Sequence, residues 1–228
     1  MAVEVLNFSV SQRGSAAGTH TLRTEARGSI VHLEARMQLA GPLGRGTVSQ
    51  KSRSHARHHH SLSFREDQNR RGDNRSYDVK FDRSTGLVRA VRSGSDTAEI
   101  PLSRPFRDPL GLLHEIRTAG AAADDRRIPL LGKDVHVSLV TETDMDTVLG
   151  QVTARVFRLF PGGALIWVAT DAPHVILRMA QPAAGGTLDV TLSGMDSEPG
   201  GGRGGSPRRD RKRRSRPRRG RRRRRRRE

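Results

Sequence analysis

From Val31 to Leu39 every second side chain is apolar, with Glu34, Arg36 and Gln38 on the opposite side. Period-two alternation of this kind marks a strand with one dry face. The same pattern begins at Val3, Val5 and Phe8 to Val10. It returns in Ser61 to Phe64, Tyr77 to Phe81, Leu87 to Val91, Val152 to Leu159, Leu165 to Val168, Val175 to Met179 and Leu188 to Leu192. Turn formers punctuate the chain between these runs: Gly14, Gly18, Gly28, Gly41-Pro42, Gly72-Asp73-Asn74, Ser84-Thr85-Gly86, Pro161-Gly162-Gly163 and Gly185-Gly186. Strands separated by such turns are read as hairpins, so the pattern predicts a meander of about nine to eleven antiparallel strands.

One segment has helical spacing instead. Asp108 stands where an N-cap belongs, Pro109 at the first helical position and Gly120 at the stop. Leu110, Leu112, Leu113 and Ile116, three or four apart, gather on one face. The expectation is one short amphipathic helix plugging an open end or the concave face of the sheet. Gly111 inside it costs about 1 kcal/mol relative to alanine.

After Leu192 the composition changes. Residues 196–207 read as a Gly/Pro/Ser linker and 208–228 as a tail of nearly pure arginine, leaving 1–195 as one β domain. The formal charge is +18 over 228 residues, but it is unevenly placed. From Arg203 onward there are seventeen Lys/Arg and two acids, Asp210 and Glu228, or +15; residues 1–202 hold 25 against 22, or +3. Charges this dense repel one another and have nothing to bury, so a disordered tail is expected.

Arginine is always charged and grips phosphate with a planar fork. The tail is therefore the candidate polyanion site, comprising Arg203, Arg208, Arg209, Arg211, Lys212, Arg213, Arg214, Arg216, Arg218, Arg219, Arg221, Arg222, Arg223, Arg224, Arg225, Arg226 and Arg227. Contact through phosphates is independent of base sequence. RNA is favoured over DNA, and Arg203-Gly204-Gly205 resembles a single RGG repeat.

The body offers less chemistry. There is no cysteine, which excludes disulfides, thiolate metal sites and cysteine nucleophiles. No G-x-S-x-G, H-E-x-x-H, phosphate loop or dinucleotide fingerprint occurs, so the protein is expected to be non-enzymatic and to need no cofactor. His55, His58, His59 and His60 resemble metal ligands, with His58 and His60 on one face of a strand. Period two turns His59 away, so a solvent-exposed histidine-rich strand edge is expected and no metal site. Glu142, Asp144 and Asp146 read as a solvated hairpin tip, and Arg71-Gly72-Asp73 as a turn. Trp167, Tyr77 and the six Phe are expected in the core or on sheet faces. Met1 to Val10 lacks the features of a secretory leader, and no apolar run approaches the roughly twenty residues of a membrane helix, which together predict a cytoplasmic protein.

Three motifs carry a family resemblance spanning about Leu6 to Leu192. They are the strands Ser61 to Phe64, Tyr77-Asp78-Val79-Lys80-Phe81-Asp82 and Gly86-Leu87-Val88; the helix Asp108 to Arg117; and the ending Trp167 to Asp171, Pro173, Ile176 and Gly186 to Leu188. The body resembles the bacterial family DUF3108, in which serine is usual at the position of Gly111. The resemblance implies a curved antiparallel sheet or incomplete β-barrel with a helix against it, similar in outline to lipoprotein-carrier domains. Members of such families are commonly exported envelope proteins. Two functions follow as expectations: a non-enzymatic binding protein whose tail contacts RNA or DNA, or an envelope-associated carrier of an apolar ligand whose tail contacts anionic membrane.

Overall fold

The computed structural model describes residues 2–70 and 72–199. It is built on a single antiparallel sheet of fourteen strands: β1 (Ala2–Gln12), β2 (Ser15–Arg27), β3 (Ile30–Leu39), β4 (Gly46–His55), β5 (Ser61–Arg70), β6 (Asp73–Asp82), β7 (Leu87–Arg92), β8 (Asp96–Pro101), β9 (Arg126–Leu130), β10 (Lys133–Thr147), β11 (Gly150–Phe160), β12 (Ala164–Ala169), β13 (Ile176–Ala183) and β14 (Gly186–Pro199). Spatial order is β8 to β1 in unbroken sequence, then β14 back to β9. Two meanders thus share one seam, the pairing of β1 with β14, and β8 and β9 remain as edges, so the sheet is not closed into a barrel.

The strand count exceeds the nine to eleven expected. The additional strands include β4, β8 and β9, whose sequences carry too few apolar residues to announce a dry face. The final strand also runs beyond the boundary expected at residue 195: Asp196 pairs with Val5 and Ser197 with Glu4. Residues 200–228, with the rest of the linker and the arginine-rich tail, lie outside the described residues, as does Arg71.

Curvature has identifiable causes. Register shifts occur at Val10/Ser11, Asn7/Phe8, Arg53/Ser54, Leu139/Thr141 and Trp167/Val168, and bulges of this kind bend a strand and increase its twist. At the first, Gly18 has φ +140°, and a Cβ there would lie 1.9 Å from the Gln38 carbonyl oxygen. Only glycine permits that approach.

The helix α1 (Pro109–Ala119) crosses the inner face. Its Leu112 and Ile116 join a cluster with Leu6, Phe8, Val137, Phe157 and Leu177, while Leu110 joins a second with Val31, Leu33, Phe64 and Val79. The helix therefore welds the two meanders together. Ahead of it, Phe106 accepts a hydrogen bond from the Ser61 amide and Arg107 donates to Pro129, so this segment bridges β5 to the β9 edge. Among the described residues no helix is long and apolar enough to cross a membrane.

Candidate functional site

The helix is seated by polar groups rather than by apolar contact alone. Asp108, 4% exposed, caps α1: its Oδ1 accepts from the amides of Leu110 and Gly111 at 2.9 and 3.0 Å. Its Oδ2 accepts from the hydroxyls of Ser52 (2.6 Å) on β4 and Ser61 on β5. Burial pushes this carboxyl above its ordinary pKa, and the four hydrogen bonds pull it back. Ser52, Ser54 and Ser61 are buried, which explains why β4 lacks an apolar stripe: its inward positions serve the cap. Gly111 is explained by the same cluster. A Cβ there would sit 3.2 Å from Ser54 Oγ and 3.3 Å from Ser61 Oγ, so the space a serine would take is held by the neighbouring hydroxyls.

Two ion clusters hold the rest of the helix. Glu115, 1% exposed, lies between Arg107 Nε at 2.7 Å and Arg126 Nη2 at 2.9 Å. Arg117 forks onto both carboxylate oxygens of Glu4 on β1 and donates to the carbonyls of Pro173 and His174 at 3.0 Å. Removing one partner of such a buried pair leaves an uncompensated charge, typically about 3–5 kcal/mol. With Leu112 and Ile116 packed in the core, Pro109 and Leu113 are left to line a space.

That space is a cavity of about 250 Å³ between α1 and the sheet. Its walls are Ala35 and Met37 of β3, Val48 of β4, Pro109 and Leu113 of α1, Met179 of β13, and Leu188 and Val190 of β14, with His20, Gln50 and Gln181 as polar members. Methionine adapts its shape to what it touches, so two in the lining suit an occupant of variable outline. Hollows of similar volume elsewhere have different linings. One is bordered by Thr47, Ser49, Asp67 and Arg75, another by His60, Arg83, Ser103 and Arg104.

His20 is 8% exposed and packs at 5.7 Å, centroid to centroid, from the ring of Phe8. Burial lowers its pKa to about 4, so the ring is neutral at pH 7. The sequence does not single His20 out. Its only signal is a histidine at an inward position of an otherwise weakly patterned strand.

The histidine cluster differs from the expected exposed strand edge. His55 ends β4, and His58, His59 and His60 lie in the connection to β5. His60 is buried, and its Nε2 is 2.8 Å from Arg83 Nη1. Since a guanidinium only donates, Nε2 is the acceptor and the imidazole is neutral; burial, then the Arg83 charge, lowers its pKa to about 4. The His55, His58 and His60 centroids are 4.7 to 6.1 Å apart, and His60 stacks on both the others. Stacking turns ring faces toward one another, not nitrogens toward a common point. Among the described residues no group of three His, Asp or Glu is arranged to hold a metal ion.

Other expected features fall into place with adjustments. Glu142, Asp144 and Asp146 lie along β10 and not at a hairpin tip; Glu142 pairs with Arg155 at 2.8 Å and Asp144 accepts from Thr153 at 2.6 Å. Gly72 turns between β5 and β6 with φ +83°. Five Phe are buried as expected, but Phe160 is 67% exposed at the end of β11. Trp167 lies half-buried on its sheet face beneath the Arg178 guanidinium, 4.6 Å from the ring centroid. The tail residues Arg203 to Arg227 lie outside the described residues.

These elements define a class: an open antiparallel β-sheet curled onto one amphipathic helix, with a small apolar cavity beneath that helix. Residues 7–193 match the model of a family described as a protein of unknown function, DUF3108, and the chain belongs to that family. Its fold is similar to the crystal structure of a β-barrel-like protein of domain of unknown function DUF1849 from Brucella abortus. The TM-score is 0.55 at 11% identity, over 86% of this chain and 98% of that one. At such identity the likeness is one of fold. No curated protein matches the chain.

Proposed function

We propose that the β domain is a non-enzymatic binding domain that takes a small apolar molecule into the cavity beneath α1. The observation carrying this reading is the lining itself: seven aliphatic or methionine side chains surround about 250 Å³ between elements anchored elsewhere by ion pairs. This volume lies just below the usual range for ligand pockets, roughly 300–1,000 Å³. Few polar groups on an apolar wall is the composition such pockets share. A carrier or sensor of an aliphatic compound fits it.

The experiment is displacement of an environment-sensitive aliphatic fluorophore from the full chain by short alkanes and alkanols. Filling the cavity with Leu113→Trp or Met37→Phe is expected to weaken fluorophore binding about tenfold or more, a loss of roughly 1.4 kcal/mol. Unchanged binding in both variants places the fluorophore elsewhere and refutes the reading.

A second reading concerns the tail and rests on its charge of +15. Such a segment binds polyanions without reading sequence, with RNA favoured over DNA and anionic membrane as the competing surface. The two readings are compatible: the tail places the protein on a polyanion, and the β domain holds the ligand.

A further inference from the structure

Buried polar atoms in folded proteins nearly always have a partner, and leaving one without costs about 1–3 kcal/mol. His20 is an exception on the cavity wall. Among the described residues neither ring nitrogen has a hydrogen-bond partner; Nδ1 is fully enclosed, so Nε2 is the nitrogen left to meet an occupant of the cavity. The remaining polar side chains do not compete for its role. Gln50 donates its amide to Glu66 at 2.6 Å, and Gln181 is exposed.

Resting on the cavity reading above, we propose that His20 anchors the polar end of the ligand, and that the ligand is an uncharged amphiphile: an aliphatic chain ending in a hydroxyl or similar group. Two arguments select this class. A neutral imidazole offers one N–H donor and one acceptor nitrogen, and a hydroxyl both accepts and donates. Among the described residues the cavity wall also carries no Asp, Glu, Lys or Arg, so a carboxylate or ammonium end would enter without a counter-charge from them. The chain then lies against Met37, Leu113, Met179 and Leu188.

The test uses the full chain with octane, 1-octanol and octanoate, in the natural protein and in His20→Leu. Octanol is expected to bind the natural protein more tightly than octanoate. The preference for octanol over octane is expected to fall about five- to tenfold in His20→Leu, the size of one buried hydrogen bond. Failure of both octane and octanol to bind refutes the cavity reading itself. If both bind but the preference is unchanged by the substitution, the cavity stands and the role of His20 is overturned. Tighter binding of octanoate overturns the uncharged class. Should His20→Leu fail to fold, the imidazole ¹⁵N signals of His20 in the natural protein decide the matter. They shift on addition of octanol if His20 is the anchor, and stay fixed if its partner is an internal water.

Discussion

Ser61 and Asp108, 47 positions apart, hydrogen-bond each other twice: the Asp108 amide donates to Ser61 Oγ at 2.8 Å, and the Ser61 hydroxyl donates to Asp108 Oδ2. An N-cap normally satisfies only its own helix. Here the cap is also the point at which the helix attaches to β4 and β5, because Ser52 reaches the same oxygen. Helix formation and helix docking are therefore one event, and a single side chain controls both.

Replacing Asp108 should reveal this. Asp108→Ala removes a cap worth about 1 kcal/mol and leaves buried hydroxyls unpaired at about 1–3 kcal/mol. A total loss of about 3 kcal/mol is expected by urea denaturation at neutral pH. Asp108→Asn keeps an acceptor at the cap and should lose less than half as much. Equal losses in the two variants would mean that an acceptor at the cap is not enough and that both carboxylate oxygens are needed to join the helix to the strands.

Gly111 tests the crowding around that cap. In an open helix Gly→Ala gains about 1 kcal/mol, but here the new methyl meets Ser54 Oγ at 3.2 Å. Gly111→Ala is expected to destabilise by about 0.5–1 kcal/mol. In a Ser54→Ala background the same substitution should become neutral or stabilising. Additive effects across this double-mutant cycle would rule the contact out as the reason for glycine.

These residues also show where sequence reading works. The strand from Ile30 to Leu39 was legible because its inward side chains are apolar, and Val31, Leu33, Ala35 and Leu39 are indeed buried. The helix was legible because Asp108, Pro109 and Gly120 mark its ends, and it spans Pro109–Ala119 with Gly120 as its C-cap. Strand β4 was not, since its inward Ser52 and Ser54 face a carboxylate that approaches from 54 residues or more away. A polar position buried by a distant partner has the same local signature as an exposed one. The cavity was illegible for a related reason: its walls come from β2, β3, β4, β13, β14 and α1, and only the sheet's curl brings them together.

Arg117 should be the residue on which helix orientation depends. It joins α1 to β1 through Glu4 and to the Pro173–His174 loop. Arg117→Ala is expected to cost about 3–4 kcal/mol by leaving Glu4 unpaired in a largely buried place. Arg117→Lys keeps the charge but not the fork, and should recover less than half of that loss. Full recovery by lysine would show that charge alone suffices.

Acid should weaken the fold through His20. Its folded pKa, lowered by burial to about 4 from an ordinary 6.5, means that the folded state resists protonation. The stability this contributes is complete above about pH 6.5 and is lost as pH falls through about 4, by up to about 3 kcal/mol. Asp108 acts in the opposite sense: its raised carboxyl pKa favours the fold at low pH and ceases to as pH rises through the folded value. Comparing the natural protein with His20→Leu cancels Asp108. The difference in unfolding free energy should move against the natural protein by about 3 kcal/mol between about pH 7 and pH 3.5. A pH-independent difference would show that His20 is solvated in the folded state.

The tail can be separated from the β domain by salt. If about eight phosphates of a single strand are engaged, log K should fall against log salt with a slope near −6. Binding to single-stranded RNA is measured for the full chain and for one stopped at Gly202, with octanol binding as the control for an intact β domain. Loss of RNA binding with octanol affinity unchanged assigns polyanion contact to residues 203–228. RNA affinity that survives the truncation moves that contact to the β domain, whose formal charge over residues 1–202 is only +3. Anionic vesicles assayed alongside distinguish the surfaces. A multivalent arginine tail engages either one, but only the RNA complex keeps the single-strand slope when the lipid charge is removed.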